Sequence, residues 1–193
     1  MTRSFTLFIA LLLIPEAALD APEYDFAAMI QKVPDTATFS DPDHYIWCGT
    51  MVCGDDGKCH LFYSRWPKRN GFSAWVTHSE VAHAVADTPL DSFQHKDVAL
   101  PERGPKFWNG HGTHNPTVVR FGKKFYLYHM GNRDDREATK GWNWNHRNNQ
   151  RIGVAVAASP DGPWQRCDKE GPVMNDGVTI SRGSATKSRR PTK

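Results

Sequence analysis

The stretch His114-Asn115-Pro116-Thr117-Val118-Val119-Arg120-Phe121-Gly122-Lys123-Lys124-Phe125-Tyr126-Leu127-Tyr128-His129-Met130-Gly131 decides the fold. Val, Phe and Tyr fill two short runs on either side of Gly122-Lys123, the composition and punctuation of a β-hairpin. Asn115-Pro116 leads in as extended chain, because the proline ring keeps its predecessor out of the helical region. The stretch occurs twice. Upstream stand Ile46-Trp47-Cys48-Gly49-Thr50-Met51-Val52-Cys53, a turn Gly54-Asp55-Asp56-Gly57-Lys58, and Cys59-His60-Leu61-Phe62-Tyr63-Ser64.

The copies run on past the hairpin. Glu80 to Phe93 is echoed by Arg151 to Trp164: an alternating strand, a proline-containing turn (Thr88-Pro89, then Ser159-Pro160-Asp161), and an aromatic residue opening a fourth strand. One unit is therefore four antiparallel strands in about 65 to 70 residues, the period of a β-propeller blade. The competing arrangement is a single β-sandwich. The fold expected is all-β, a β-propeller of which two blades (40–100 and 108–174) and the start of a third are present. In such a meander the start of the first strand and the end of the second share one end of the sheet. The longer connections, 65–74, 94–113 and 131–150, fall at that end, where loops on a rigid scaffold carry function.

Hydrophobic residues make up 39% of the chain, enough for one core, and seven Trp and ten Phe are many for this length. Residues 1–21 read as an export signal: Arg3, an apolar run from Phe5 to Ile14, then small residues around Ala17-Ala18. The expected location is periplasmic or extracellular. Residues 22–39 form a lead-in, with a short helix expected over Asp25 to Val33. The formal charge of +3 comes from the tail. Residues 181–193 hold five basic residues and no acid; without them 19 basic face 21 acidic residues, a formal −2. The body is thus not patterned for nucleic acid, and no segment after the leader is long and apolar enough to span a bilayer. Export permits a disulfide between Cys53 and Cys59 across the first turn; free thiols are the favoured state.

Several side chains fall at the functional end. Asp41 and Asp43 of Ser40-Asp41-Pro42-Asp43-His44 precede the first strand, where a carboxylate serves glycoside hydrolysis as base or acid. Asp41-Pro42-Asp43 is also ordinary turn chemistry. His114 and Asn115 stand at what reads as the matching place in the second unit, as hydrogen-bonding groups for a sugar. Arg65 and Trp66 are rim contacts, and Trp75, Trp108, Trp142 and Trp144 lie near the same end as sugar-stacking platforms or inter-blade packing. Glu170-Gly171-Pro172 is out of phase with an inner strand and is not assigned a role.

With these residues in view, the chain resembles the five-bladed β-propeller glycosidases, in particular glycoside hydrolase family 43 and its bacterial relatives. The resemblance rests on Asp41-Pro42, Gly57-Lys58 with His60 to Ser64, Phe125 to Tyr128, Ile152 to Ala155 and Ser159 to Trp164. It implies inverting hydrolysis of O-glycosidic bonds in arabinosyl, xylosyl, galactosyl or related plant- or algal-type glycans. Asp41 would be the base and Asp43 its fallback. A second Asp is expected where this chain has His114-Asn115, and the acid is a Glu opening blade three. Some members hold a calcium ion on the axis; no other cofactor is implied. On this reading the chain is an N-terminal fragment, inactive and prone to association through open blade faces. The alternative is a carbohydrate-binding propeller without catalysis.

Overall fold

The computed structural model describes residues 24–30, 32–133, 146–167 and 171–173. The export signal, Trp142, Trp144, Glu170 and the basic tail lie outside the described residues. Contacts divide the chain into two compact units, Met1–Lys32 and Val33–Lys193. In the first unit, α1 (Phe26–Met29) is a single turn capped by Asp25, whose side chain accepts from the Ala28 N–H at 3.0 Å. It is shorter than the expected Asp25 to Val33, because Ile30 already has extended geometry, with ψ 119°.

The second unit holds two four-stranded antiparallel sheets. The first is β1 (His44–Cys53), β2 (Cys59–Pro67), β3 (Glu80–Ala86) and β4 (Gln94–Leu100). The second is β5 (Gly112–Phe121), β6 (Lys124–Asn132), β7 (Arg151–Ala157) and β8 (Gln165–Arg166). Each is a simple meander in sequence order, as the repeat requires. Between β2 and β3 lie two 3-10 turns and the one-turn helix α2 (Trp75–His78). The connection expected over 94–113 is shorter than that, since β4 occupies its first part. The hairpin turns carry glycines in the left-handed region, Gly57 at φ 77° and Gly122 at φ 59°, which a side chain rarely adopts. Cys53 and Cys59 pair across the first turn as free thiols, Sγ to Sγ 3.7 Å.

The sheets stack through one face each. Phe62, Val81 and Leu100 of the first meet Val118, Leu127 and Ala155 of the second, all at most 5% exposed. The larger of these side chains each contribute about 1.5–3 kcal/mol by burial. Trp164, the aromatic just before β8, closes edge-on against Phe62 at 5.3 Å. β5 lies against β1, β2 and β3, the relation between neighbouring propeller blades. The other face of the first sheet, Tyr63, Ala82 and Ala84, is covered by Phe39 and Phe93. The face of the second sheet turned away from the first is open: Val119 is 43%, Phe121 78% and Tyr128 40% exposed. Among the described residues no helix is long and apolar enough to cross a membrane.

Both first strands carry a bulge. The register slips between Trp47 and Thr50 in β1 and between His114 and Thr117 in β5. The bulged residues Cys48 and Asn115 have positive φ, 53° and 49°. These bulges correct the expected alignment of the two units. His114 corresponds to Trp47 and Asn115 to Cys48; counting back equally from each bulge sets Asp41 opposite Trp108, not His114.

Candidate functional site

At the end of the seam where β1 and β5 begin, a cavity of about 300 Å³ opens between the sheets. Trp47, Ser64 and Trp66 come from the first sheet, Phe72 and Trp75 from the β2–β3 connection, His114 and Asn115 from β5, and Arg147 from the connection before β7. The bulge at Asn115 presents its backbone N–H to Ser64 Oγ at 2.8 Å, which ties the sheets together at the cavity floor. A regular strand would not aim the amide there, and bulges commonly re-aim groups beside functional sites.

One wall is aromatic. Trp66 is 1% exposed, while Trp47 and Phe72 are 49% and 50% exposed. Trp47 lies 5.5 Å from Phe72 and 6.4 Å from Trp66 between ring centroids. Tyr45 backs both Trp66 and Phe72 at 5.5 and 5.4 Å. Across the cavity, Trp75 meets His114 edge-on at 5.2 Å, and the Arg147 guanidinium lies 5.4 Å from the Trp75 ring centre.

The polar groups at this cavity are under-used. Trp66 Nε1 and both ring nitrogens of His114 are buried with no hydrogen-bond partner among the described residues. Burial drives the His114 pKa down to about 4; Asn115 lies near enough to oppose this slightly, but outside hydrogen-bond geometry. His114 is therefore neutral at pH 7, offering one donor and one acceptor. Buried polar atoms left without partners cost stability, and a ligand with hydroxyl groups would relieve that cost.

The expected site residues divide. Trp66, His114 and Asn115 come together in this cavity. Asp41, Asp43, Arg65 and Trp108 do not line it. Asp41 Oδ1 accepts from the Asp43 and His44 N–H groups at 2.8 and 3.0 Å and lies 3.2 Å from His44 Nδ1. Burial acts to raise its pKa, but these hydrogen bonds and the His44 imidazole outweigh it and hold the carboxyl below its ordinary value. Arg65 faces the opposite side of its sheet, donating from Nε to Glu80 at 2.8 Å and lying 3.0 Å from His95. Trp108 stacks on His129 at 5.8 Å and packs over Gly153, where an added Cβ would come within 2.6 Å of its ring. Trp47, Ser64 and Phe72 were not singled out from sequence. Alternation along β2 was the signal for Ser64, while Trp47 enters beside a bulge that the residue pattern does not announce. The calcium ion allowed by the resemblance does not fit here, because calcium takes carboxylate and carbonyl oxygens and the lining has no carboxylate.

No family model and no curated protein matches the chain. Its structural neighbours include glycoside hydrolases of families 117 and 43. A family 117 glycoside hydrolase of the marine bacterium Zobellia galactanivorans is similar with TM-score 0.50 and 17% identity, over 65% of this chain and 38% of that one. A putative glycoside hydrolase of Parabacteroides distasonis gives TM-score 0.50 and 13% identity, over 70% and 35%. A GH43_1 enzyme of Xanthomonas citri complexed with xylose gives TM-score 0.46 and 20% identity, over 63% and 31%. At these identities the likeness is one of fold. The chain spans less than two fifths of the length of each.

Proposed function

We propose that this chain supplies two blades of an exported five-bladed glycosidase, and that the cavity between them binds a sugar. The observation that carries the proposal is the pairing of half-exposed aromatic faces, Trp47 and Phe72, with three unpartnered ring N atoms, on Trp66 and His114. Sugars present both flat apolar C–H faces and hydroxyl groups, and such a wall meets both needs. Neutral His114 orients hydroxyls without carrying charge. Asp41 stays ionised, as a base for an inverting attack by water requires. Hydrolysis needs a second carboxyl group acting as acid, expected on a blade outside the two described here. The open face of the second sheet, with Val119, Phe121 and Tyr128, is where a further blade would pack. The export reading of residues 1–21 places the reaction outside the cytoplasm.

One observation favours a second reading, a carbohydrate-binding propeller without catalysis: the lining contains no carboxylate, and Asp41 Oδ1 is engaged as a turn cap. Asp41→Asn and Asp43→Asn in the full-length gene product, assayed on aryl glycosides and for oligosaccharide binding, separate the two. Lost turnover with retained binding supports the hydrolase. Binding without turnover in every form, wild type included, supports the binding module.

A further inference from the structure

The opposite end of the two sheets holds a second cluster, built on buried histidines. His60 on β2 and His83 on β3 are 1% and 0% exposed. Their rings stack at 5.1 Å and 12°, and His60 Nδ1 faces His83 Nε2 at 2.9 Å. The outward nitrogens meet carboxylates. His60 Nε2 is 3.2 and 3.3 Å from the two oxygens of Asp56, and His83 Nδ1 is 3.3 Å from Asp97 Oδ1. From the second sheet, the β7–β8 turn brings Asp161 Oδ1 to 3.6 Å from His60 Nδ1. Lys96 Nζ also contacts Asp161, at 2.6 Å.

Proton accounting makes this cluster unusual. A neutral imidazole carries one N–H. If each ring directs that N–H to its carboxylate, the two facing nitrogens both present lone pairs at 2.9 Å, a repulsive contact. Something positive belongs between them. One proton would do, leaving a shared imidazolium. A divalent metal ion would do as well, and four features favour it. The donor atoms of His60, His83 and Asp161 all lie within 4.8 Å of one another. Metal–nitrogen bonds of about 2.0–2.1 Å in a tetrahedron separate ligand atoms by about 3.4 Å, so the nitrogens need part by only about half an ångström. A carboxylate behind each histidine fixes the tautomer that leaves the inner nitrogen free, the usual support of a metal-bound imidazole. Three carboxylates against one ammonium leave two uncompensated negative charges.

We infer that His60, His83 and Asp161 form a divalent transition-metal site that clips the second sheet to the first. Two imidazoles and one carboxylate are a zinc-type donor set. Asp161 is 40% exposed at its side chain, so the fourth position faces water. Lys96, itself 46% exposed, moves to the outer oxygen or to solvent when the ion binds. The site does not depend on the glycan reading of the distant cavity.

The test uses the 193-residue chain, tag removed and stripped by chelator, titrated with Zn²⁺ against a chromophoric chelator and separately with Co²⁺. One zinc per chain is expected, with the strong visible absorption of tetrahedral cobalt and a zinc-dependent rise in melting temperature. Asp161→Asn abolishes all three, and Asp97→Asn weakens binding about tenfold through His83. His78→Gln changes nothing. Asp161 lies in an exposed turn, so its variant folds even if a His83 variant does not. Absence of stoichiometric zinc, an Asp161→Asn chain that binds zinc as wild type does, or nitrogen-15 imidazole shifts showing a shared imidazolium in the presence of zinc would each overturn the inference.

Discussion

The Trp75 ring meets the His114 imidazole edge-on, 5.2 Å between centroids at 87°, and seals His114 from solvent on that side. The contact joins a one-turn helix of the first sheet's longest connection to the bulged first strand of the second sheet. It makes His114 a fully enclosed polar group of the cavity and the one whose ionisation reports on it.

Stability should therefore fall in mild acid through His114. Its folded pKa, about 4, lies below the unfolded value of 6.5. Above about pH 6.5 both states are neutral and there is no penalty. As pH falls from 6.5 to 4 the unfolded chain takes up a proton that the folded chain refuses, and stability is lost, by about 3 kcal/mol at full effect. His114→Phe removes this component. Melting temperatures of the two proteins should diverge less at pH 4.5 than at pH 7, or reverse order. Equal acid sensitivity would show that the ring titrates freely.

Gly153 sits under Trp108 and His129, where an added Cβ would come within 2.6 Å of the indole and 2.8 Å of the imidazole. Gly153→Ala should destabilise by about 1–3 kcal/mol, as overpacking of a tight core does. Denaturant unfolding with an unchanged slope would confirm a folded-state clash. An increase in stability would mean that Trp108 is loosely held.

The open face of the second sheet should drive self-association. Val119 and Tyr128 occupy the face that in the first sheet, at Thr50 and Phe62, is covered by its neighbour. A Val119→Lys, Tyr128→Lys double variant should sediment as a smaller species than wild type. A wild-type chain that stays monomeric at high concentration would contradict this.

Much of the architecture was legible because it is local. Gly57 and Gly122 mark turns, the strands alternate, and Pro-containing turns recur in step, so the meander and its doubling follow from short-range chemistry. The site was less legible, for two physical reasons. Parity decides which of two neighbours on a strand enters a cavity: Trp66 does, and Arg65, one residue away, turns to Glu80. The bulges at Cys48 and Asn115 shift the phase of each first strand, and nothing in the residue pattern announces a bulge. Aligned on those bulges, His114 is the counterpart of Trp47 and not of Asp41. Phe72 reaches the cavity only through the two 3-10 turns after β2.

Intrinsic tryptophan fluorescence, titrated with neutral xylo-, arabino- and galacto-oligosaccharides, tests the central claim most directly. A saturable change for at least one series, lost in Trp47→Ala and weakened about tenfold or more in His114→Phe, is the predicted result. No response to any oligosaccharide from a folded wild-type chain, or one that survives both substitutions, would contradict a sugar site between the two sheets.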